Sequence, residues 1–484
     1  MNLVPSKYLV TVPLDKDSSI LYHSLFGGAV VVKRELLRLI ETFNFKISTQ
    51  TSYQRIPISR DTMRMLRKHS FLVPAGTDEY ILLKKQWERE GLEKSIRSGA
   101  LITNLRLEMV NYCNFRCKHC FVPRLYCLDK KTKMSFSTAK RAIDSLVTIM
   151  QRNKNKFGSV TFWGGEPLFN WGVVKSILHY LEQIARSASS IVLQPSIITN
   201  GSMIDDEIAS VIKHYGSGVL VSLDGFRREN DAFRMFQNGR GTFGRIIQGL
   251  DTLKKHKVEF GVELCINDYN FNSIEKLIDF LIDRYKRFEF ITILYILYDG
   301  VCPFDSHTSK EKAQRVAQIF AYLIKKRLGI LEEWEIILEH ALEQRKPRLR
   351  FCYGQASSLY VNPQGVVFPC HLMRVPLGKV QDIEKVYHSK NYKLVASRSI
   401  YNIEGCRGCI IEGMCAGGCP GRVAFYSHNI YRTDNALVKA KYCEFRRHLF
   451  KELLKFYVRR DIAKEGKPED KCIRKKGGIR CQNF

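Results

Sequence analysis

The sequence predicts an α/β protein built on a partial, six-stranded (β/α)6 TIM-like barrel, with a winged-helix-like unit before it and a cysteine-rich unit after it. Three observations predict this. From residue 105 to about 300, strand-like and helix-like runs alternate, the pattern of a parallel sheet with outer helices. Cys113, Cys117 and Cys120 follow directly on the first of those strands, at the strand ends where an α/β barrel keeps its chemistry. Seven further cysteines, from Cys352 to Cys443, recur at ligand spacings.

The bulk properties set limits. A chain of 484 residues, 45% of them hydrophobic, is long enough for two or three cored domains. Fifteen cysteines, mostly clustered, read as metal ligands and not as a disulfide scaffold, which places the protein in a reducing, oxygen-poor cytoplasm. The N-terminus has no charged-then-apolar signal pattern, and the longest apolar run, 290–298, is too short to span a bilayer, so no membrane is expected. A net charge of +29 would favour polyanions. The basic residues are dispersed outside the C-terminal tail, so the charge reads as a solvated surface and argues against a nucleic-acid partner.

In chain order, residues 1–95 are expected to form strands at 8–14, 19–26 and 29–33, with a turn at Gly27-Gly28, and helices at 34–42 and 59–68. A hairpin with helices is a winged-helix pattern. It suits either a unit that accepts a peptide strand at a sheet edge or a structural cap on the barrel. A charged linker is expected around 84–91. The barrel, 96–305, is predicted to have strands at 105–112, 159–164, 191–199, 218–223, 258–266 and 288–298. The helices between them are predicted at 137–151, 171–187, 205–215, 242–256 and 272–286, with Asp205 and Asn272 as N-caps. A helical connector, 306–350, leads to the cysteine-rich unit, 351–450, where Gly365 closes a turn between two strand-like runs. A helix at 444–458 leads into a basic, disordered tail, 451–484, that carries Cys472 and Cys481. Cys127, Cys265 and Cys302 read as reduced, buried thiols.

The spacing C-x3-C-x2-C of Cys113, Cys117 and Cys120 can hold three irons of one [4Fe–4S] cube and leaves the fourth iron open; a zinc knuckle or plain core thiols are the alternatives. With this stretch the chain resembles the radical S-adenosylmethionine (SAM) enzymes. The resemblance implies that SAM chelates the open iron and is cleaved to a 5′-deoxyadenosyl radical. Phe162-Trp163-Gly164-Gly165-Glu166-Pro167 resembles the family's Gly-Gly-Glu-Pro turn, which implies that Gly164, Gly165 and Glu166 hold the SAM amino group. Thr199 and Asn200, then Ser222 and Asp224, resemble its ribose and carboxylate contacts. Arg234 matches an arginine after the fourth strand that pairs with a carboxylate of SAM or of substrate. No residue is assigned to catalysis proper.

The later cysteines, C-x12-G-x4-C followed by C-x2-C-x5-C-x3-C and a distant Cys443, resemble the SPASM extension, with a pair of zinc sites as the competing reading. The resemblance implies an outer cluster on Cys406, Cys409, Cys415 and Cys443, and an inner one on Cys352, Cys370 and Cys419. The expected cofactors are therefore SAM and three [4Fe–4S] clusters, about twelve irons on ten thiolates. The family resemblance implies a maturase that modifies a ribosomally synthesised peptide. Its partners would be a precursor with its leader and a reductant such as flavodoxin or ferredoxin. A three-thiol inner set leaves an iron for a substrate thiolate, which favours a thioether product. One alternative is an anaerobic sulfatase-maturing, formylglycine-generating enzyme. Against it stand the absence of a cysteine in 353–360 and the presence of His371 where those relatives have an acid. The other alternative is an iron–sulfur electron-transfer or nucleic-acid-binding protein, supported independently only by the charge.

Overall fold

The computed structural model describes residues 2–42, 45–46, 58–120, 130–187, 191–285, 288–295, 307–326, 328, 332–343, 345–352, 355–373, 375–432 and 438–465. Six strands sit first at the edge of the chain: β1 (Asn2–Pro5), β2 (Leu9–Pro13), β3 (Ser18–His23), β4 (Gly27–Lys33), β5 (Phe45–Lys46) and β6 (Leu72–Pro74). They make two small antiparallel sheets, β2-β3-β4 and β5-β1-β6, beside the helices Arg34–Thr42 and Arg60–Lys68.

The centre is a run of six parallel strands: β7 (Asn104–Val110), β8 (Phe157–Gly164), β9 (Val192–Thr199), β10 (Gly218–Ser222), β11 (Phe260–Ile266) and β12 (Phe288–Tyr295), in the order β12-β11-β10-β9-β8-β7. Helices alternate with them because their apolar residues repeat at helical period. Phe136–Arg152 buries Ala139, Ala142, Ile143, Leu146, Ile149 and Met150, and its N-cap Ser135 accepts from the Thr138 amide. Asp205 caps its helix as expected, accepting from the Ile208 amide. Ser273, not Asn272, stands at the N-cap of Ile274–Arg284, and it makes no side-chain cap bond.

The sheet does not stop at β7. β13 (Ser358–Val361) pairs parallel with β7, and β14 (Val366–Phe368) and β15 (Gly378–Lys379) continue it antiparallel, giving nine strands. The cysteine-rich unit thus covers the edge that a partial barrel leaves open. Gly365 closes the β13–β14 turn at φ +76°, with the Val366 amide on Asn362 Oδ1 at 2.8 Å.

Two further expectations need correction. The stretch 84–91 is not a linker: most of it lies in the helix Ile81–Arg89, where Leu83 and Trp87 are buried one turn apart and Trp87 meets the Tyr401 ring edge-on. The helix Glu444–Glu465 runs through the boundary drawn at 450, because Leu449, Phe450, Leu453, Leu454 and Val458 are all buried. The N-terminal unit also shares the main core. Tyr22 Oη donates to the Ile410 carbonyl at 2.7 Å, Tyr80 Oη to the Ile400 carbonyl at 2.6 Å, and Tyr8, Val12 and Ile20 belong to the same apolar cluster as the barrel. Cys265 is buried, as expected; Cys127, Cys302, Cys472 and Cys481 lie outside the described residues. No helix among the described residues is long and apolar enough to cross a membrane.

Candidate active site and metal centres

Cys113, Cys117 and Cys120 lie in the loop leaving the C-terminal end of β7. The segment after β10 pins that loop by its backbone: the Arg116 amide donates to the Met235 carbonyl at 2.8 Å, and the Lys118 amide to the Phe233 carbonyl at 2.9 Å. Gln237 Nε2 adds bonds to the carbonyls of Cys113 and Phe115. Burial raises the Cys117 thiol to about 12 and pushes Cys113 up as well. Buried thiols of this kind ionise only against a compensating cation, which suits a set of cluster ligands.

The Gly164-Gly165-Glu166 turn packs directly against this loop. A Cβ on Gly164 would stand 2.4 Å from the Val110 carbonyl oxygen, and one on Gly165 would stand 2.0 Å from that of Tyr112. Only glycine fits so close an approach. The Gly165 amide donates to Val110 O and the Glu166 amide to Tyr112 O, which fixes the turn one residue from Cys113. Glu166 is fully buried, and burial raises its carboxyl to about 7. It accepts from Thr199 Oγ1 at 2.7 Å and from the Asn200 amide at 2.8 Å; Asn200 Nδ2 in turn reaches Cys113 Sγ at 3.5 Å. Gly164, Gly165, Glu166, Thr199 and Asn200 therefore form one constellation with the first cysteine.

Asp224 and Arg234 form a second constellation beside Cys117. The sequence placed Arg234 opposite a carboxylate of SAM or substrate. In the fold its Nε and Nη2 grip Asp224 at 2.7 and 3.0 Å, and both residues are buried. Asp224 also accepts from the Cys265 amide at 2.9 Å, and His119 Nε2 lies 3.6 Å from it. Ser222 donates to Glu263 Oε2 at 3.2 Å. Removing one partner of a buried pair leaves the other charge uncompensated. Arg234→Met is therefore expected to lower unfolding free energy by about 3–5 kcal/mol, read as a fall in the urea midpoint of the full chain.

Five of the seven auxiliary thiols fall into two groups. The charges of Cys409, Cys415 and Cys443 act on one another, and burial raises Cys409 to about 11 and Cys443 to about 12. Cys370, raised by burial and by Cys419 to about 12, lies with Cys419; Cys352 is exposed. A tetrahedral zinc site would hold its sulfurs roughly 3.8 Å apart, given Zn–S bonds of about 2.3 Å. Among the described residues the one trio of candidate ligand atoms within 4.8 Å of each other is His119, Asp224 and Cys265, and Arg234 already holds that Asp224. No three of the ten thiols, all of them among the described residues, lie within 4.8 Å of one another.

Sequence reasoning missed the barrel interior. Leu105, Leu107 and Met109 face the helices, so by the strand's period of two Arg106 and Glu108 face inward. Across the sheet Arg106 pairs with Tyr360 of β13 and Glu108 with Trp163 of β8. Burial and then the neighbouring Glu108 carboxylate raise the Tyr360 hydroxyl, Arg106 Nη1 lies 3.3 Å from His371 Nδ1, and the Trp163 ring lies 5.1 Å from His371 and 5.7 Å from Tyr360. Burial, with Arg106 and Arg422 nearby, lowers His371 to about 3, so its imidazole is neutral. The available signal was a pair of charged residues at alternate positions of a strand otherwise apolar on its outer face.

A parallel partial barrel with a three-thiol loop at its first strand end, a glycine–glycine–glutamate turn at its second, and a cysteine-rich unit extending its sheet defines a class of iron–sulfur radical enzymes. Residues 107–281 match the radical SAM superfamily, and residues 352–410 match the iron–sulfur cluster-binding SPASM domain. The chain thus carries the catalytic domain of radical SAM enzymes followed by a SPASM domain, and these domains imply SAM and iron–sulfur clusters as cofactors. It is 24% identical over 482 residues to the radical SAM cyclopropyl synthase TigE of Paramaledivibacter caminithermalis, with 96% of each chain covered. It shares its fold with anSMEcpe, solved with bound AdoMet and the Cp18Cys peptide (TM-score 0.58, 20% identity, 75% of this chain and 99% of that one). It also shares its fold with Streptococcus suis SuiB bound to precursor peptide SuiA (TM-score 0.53, 12% identity, 91% and 100%).

Proposed function

We propose that the chain is a maturase that modifies a residue of a ribosomally synthesised peptide inside the barrel. The observation that carries this reading is the contact chain from Trp163, one residue before the Gly164-Gly165 turn, to His371, the neighbour of Cys370. A peptide residue at the SAM-binding turn would lie beside the inner thiol set. When bound, SAM and its cluster supply a 5′-deoxyadenosyl radical that takes a hydrogen atom from a C–H bond. The chain's own residues bind and orient. Gly164, Gly165 and Glu166 receive the SAM amino group, and Asn200, Ser222 and the Asp224–Arg234 pair frame the rest of that molecule. Arg106, Glu108, Glu263 and Tyr360 present polar groups to the substrate residue.

Cys113, Cys117 and Cys120, the inner set Cys352, Cys370 and Cys419, and the outer set Cys406, Cys409, Cys415 and Cys443 would each hold one cube. Anaerobic iron and sulfide analysis should give about twelve irons per chain; about four would remove both auxiliary clusters. Two product classes are in view. The three-thiol inner set favours a thioether, with the substrate thiolate as the missing ligand. The likeness to TigE along 96% of both chains favours a cyclopropane ring. Either product has lost two hydrogens, but only the thioether consumes a cysteine thiol. The test is to incubate reduced, reconstituted enzyme with SAM and a cysteine-containing precursor peptide, then alkylate the peptide with iodoacetamide. A mass lower by two hydrogens with the cysteine blocked supports the thioether; the same loss with the cysteine alkylated replaces it with a carbon–carbon ring. A peptide aldehyde would place the chain with the sulfatase-maturing enzymes, and absence of 5′-deoxyadenosine would remove the enzymatic reading.

The N-terminal unit would receive the leader, adding it as a strand beside β2 or β4, the outer strands of their sheet. Deleting the unit cannot test this, because its side chains complete the core beneath the cysteine-rich unit. Amide hydrogen exchange on the intact chain can: precursor should slow exchange in β2 or β4. Unchanged exchange in both, with the precursor bound, would make the unit a structural cap.

A further inference from the structure

Arg398 is fully buried and stands between the two auxiliary thiol sets. Cys415 of the outer set and Cys419 of the inner set are joined by Ala416-Gly417-Gly418, and all three connecting residues are left-handed, with φ of 51°, 76° and 66°. Arg398 clamps this turn. Its Nη2 and Nη1 donate to the carbonyls of Gly417 and Gly418 at 2.7 and 3.0 Å, and its Nε donates to the Ile430 carbonyl. Its own carbonyl accepts from Gln355 Nε2 at 3.0 Å, and Gln355 Oε1 accepts from the amides of Phe351 and Cys352. One residue thereby ties the turn leading to Cys419 to the loop carrying Cys352.

The guanidinium's hydrogen-bond partners are neutral carbonyls. A buried cation with no anion nearby is costly, so the negative charge must come from elsewhere. Its grip on Gly417 and Gly418 sets the guanidinium at the turn that joins Cys415 of the outer set to Cys419 of the inner one, where the thiols of Cys406, Cys419 and Cys352 also interact with its charge. Arg446 offers a contrast. It too is buried, and its Nε donates to Cys415 Sγ at 3.4 Å, a thiol of the outer set.

We propose that Arg398 is a positioning residue and counter-charge shared by the two auxiliary clusters, holding their ligand segments together and raising the reduction potential of both. This rests on the reading that both sets hold iron–sulfur cubes. Reduction adds one negative charge to a cluster, and a fixed cation beside it favours that state.

The test uses the full chain with Cys113, Cys117 and Cys120 changed to alanine, so that only auxiliary clusters contribute. Iron is counted first, and midpoints are then read by EPR-monitored redox titration. No auxiliary iron in this parent defeats the cluster reading, not the role of Arg398 within it. With iron present, Arg398→Met should lower both midpoints and Arg446→Met only one. Unchanged midpoints in Arg398→Met, or a shift in one alone, overturn the shared counter-charge. Should Arg398→Met lose its iron, Arg398→Lys decides. Retention of iron with near-parent midpoints supports the proposal; loss in the lysine variant too assigns Arg398 to backbone fit and overturns it.

Discussion

A chain with Cys113, Cys117 and Cys120 all changed to alanine is expected to form no 5′-deoxyadenosine while keeping its auxiliary iron. The loop should survive the change, because backbone bonds from Met235 and Phe233 and the Gln237 side chain hold it, and these do not involve the thiols. The auxiliary thiols belong to other segments, clamped by Arg398 and the helix Glu444–Glu465. Iron should therefore fall by one cube, from about twelve to about eight per chain. Loss of all iron would mean that the three sets do not assemble independently. Residual SAM cleavage would mean that the radical site lies elsewhere.

The second large effect is expected from Gly165→Ala. The added Cβ would stand 2.0 Å from the Tyr112 carbonyl oxygen and 2.3 Å from its carbon, and both atoms are backbone. No side chain can rotate away, so the turn or the end of β7 must move, and the bonds from Gly165 to Val110 and from Glu166 to Tyr112 stretch with it. Overpacking of this kind costs about 1–3 kcal/mol of stability. The larger loss falls on turnover, on the order of 100-fold, since a displaced turn moves the bound cofactor relative to Cys113. Gly172→Ala is the control: it lies in the helix Trp171–Arg186 with nothing within 4 Å of its Cβ, and should be neutral or slightly stabilising. Equal rates of 5′-deoxyadenosine formation in the two variants would show that the close approach at Gly165 is unimportant.

The six barrel strands and the helices between them were legible in the sequence because each is a local pattern. Strand runs from 105 to 295 alternate with amphipathic helices whose buried faces repeat every three or four residues. The cysteine spacings were legible for the same reason: a ligand loop is a few consecutive residues. Where the local pattern was ambiguous, the reading failed. The charged residues of 84–91 masked the Leu83–Trp87 face, and the helix Glu444–Glu465 continued past the point where basic residues suggested a tail.

Other features depended on distant parts of the chain meeting, and no local pattern encodes them. β13 reaches the free edge of β7 across some 250 intervening residues, which brings Tyr360 beside Arg106 and His371 beside Trp163. Arg234 turned to Asp224 because a buried guanidinium takes the nearest carboxylate, and folding brought that one within 2.7 Å. Arg398 gave no signal in sequence. Its place between two thiol sets follows from a left-handed turn at 416–418 and a carbonyl held by Gln355, contacts that exist only once three separate segments have packed together.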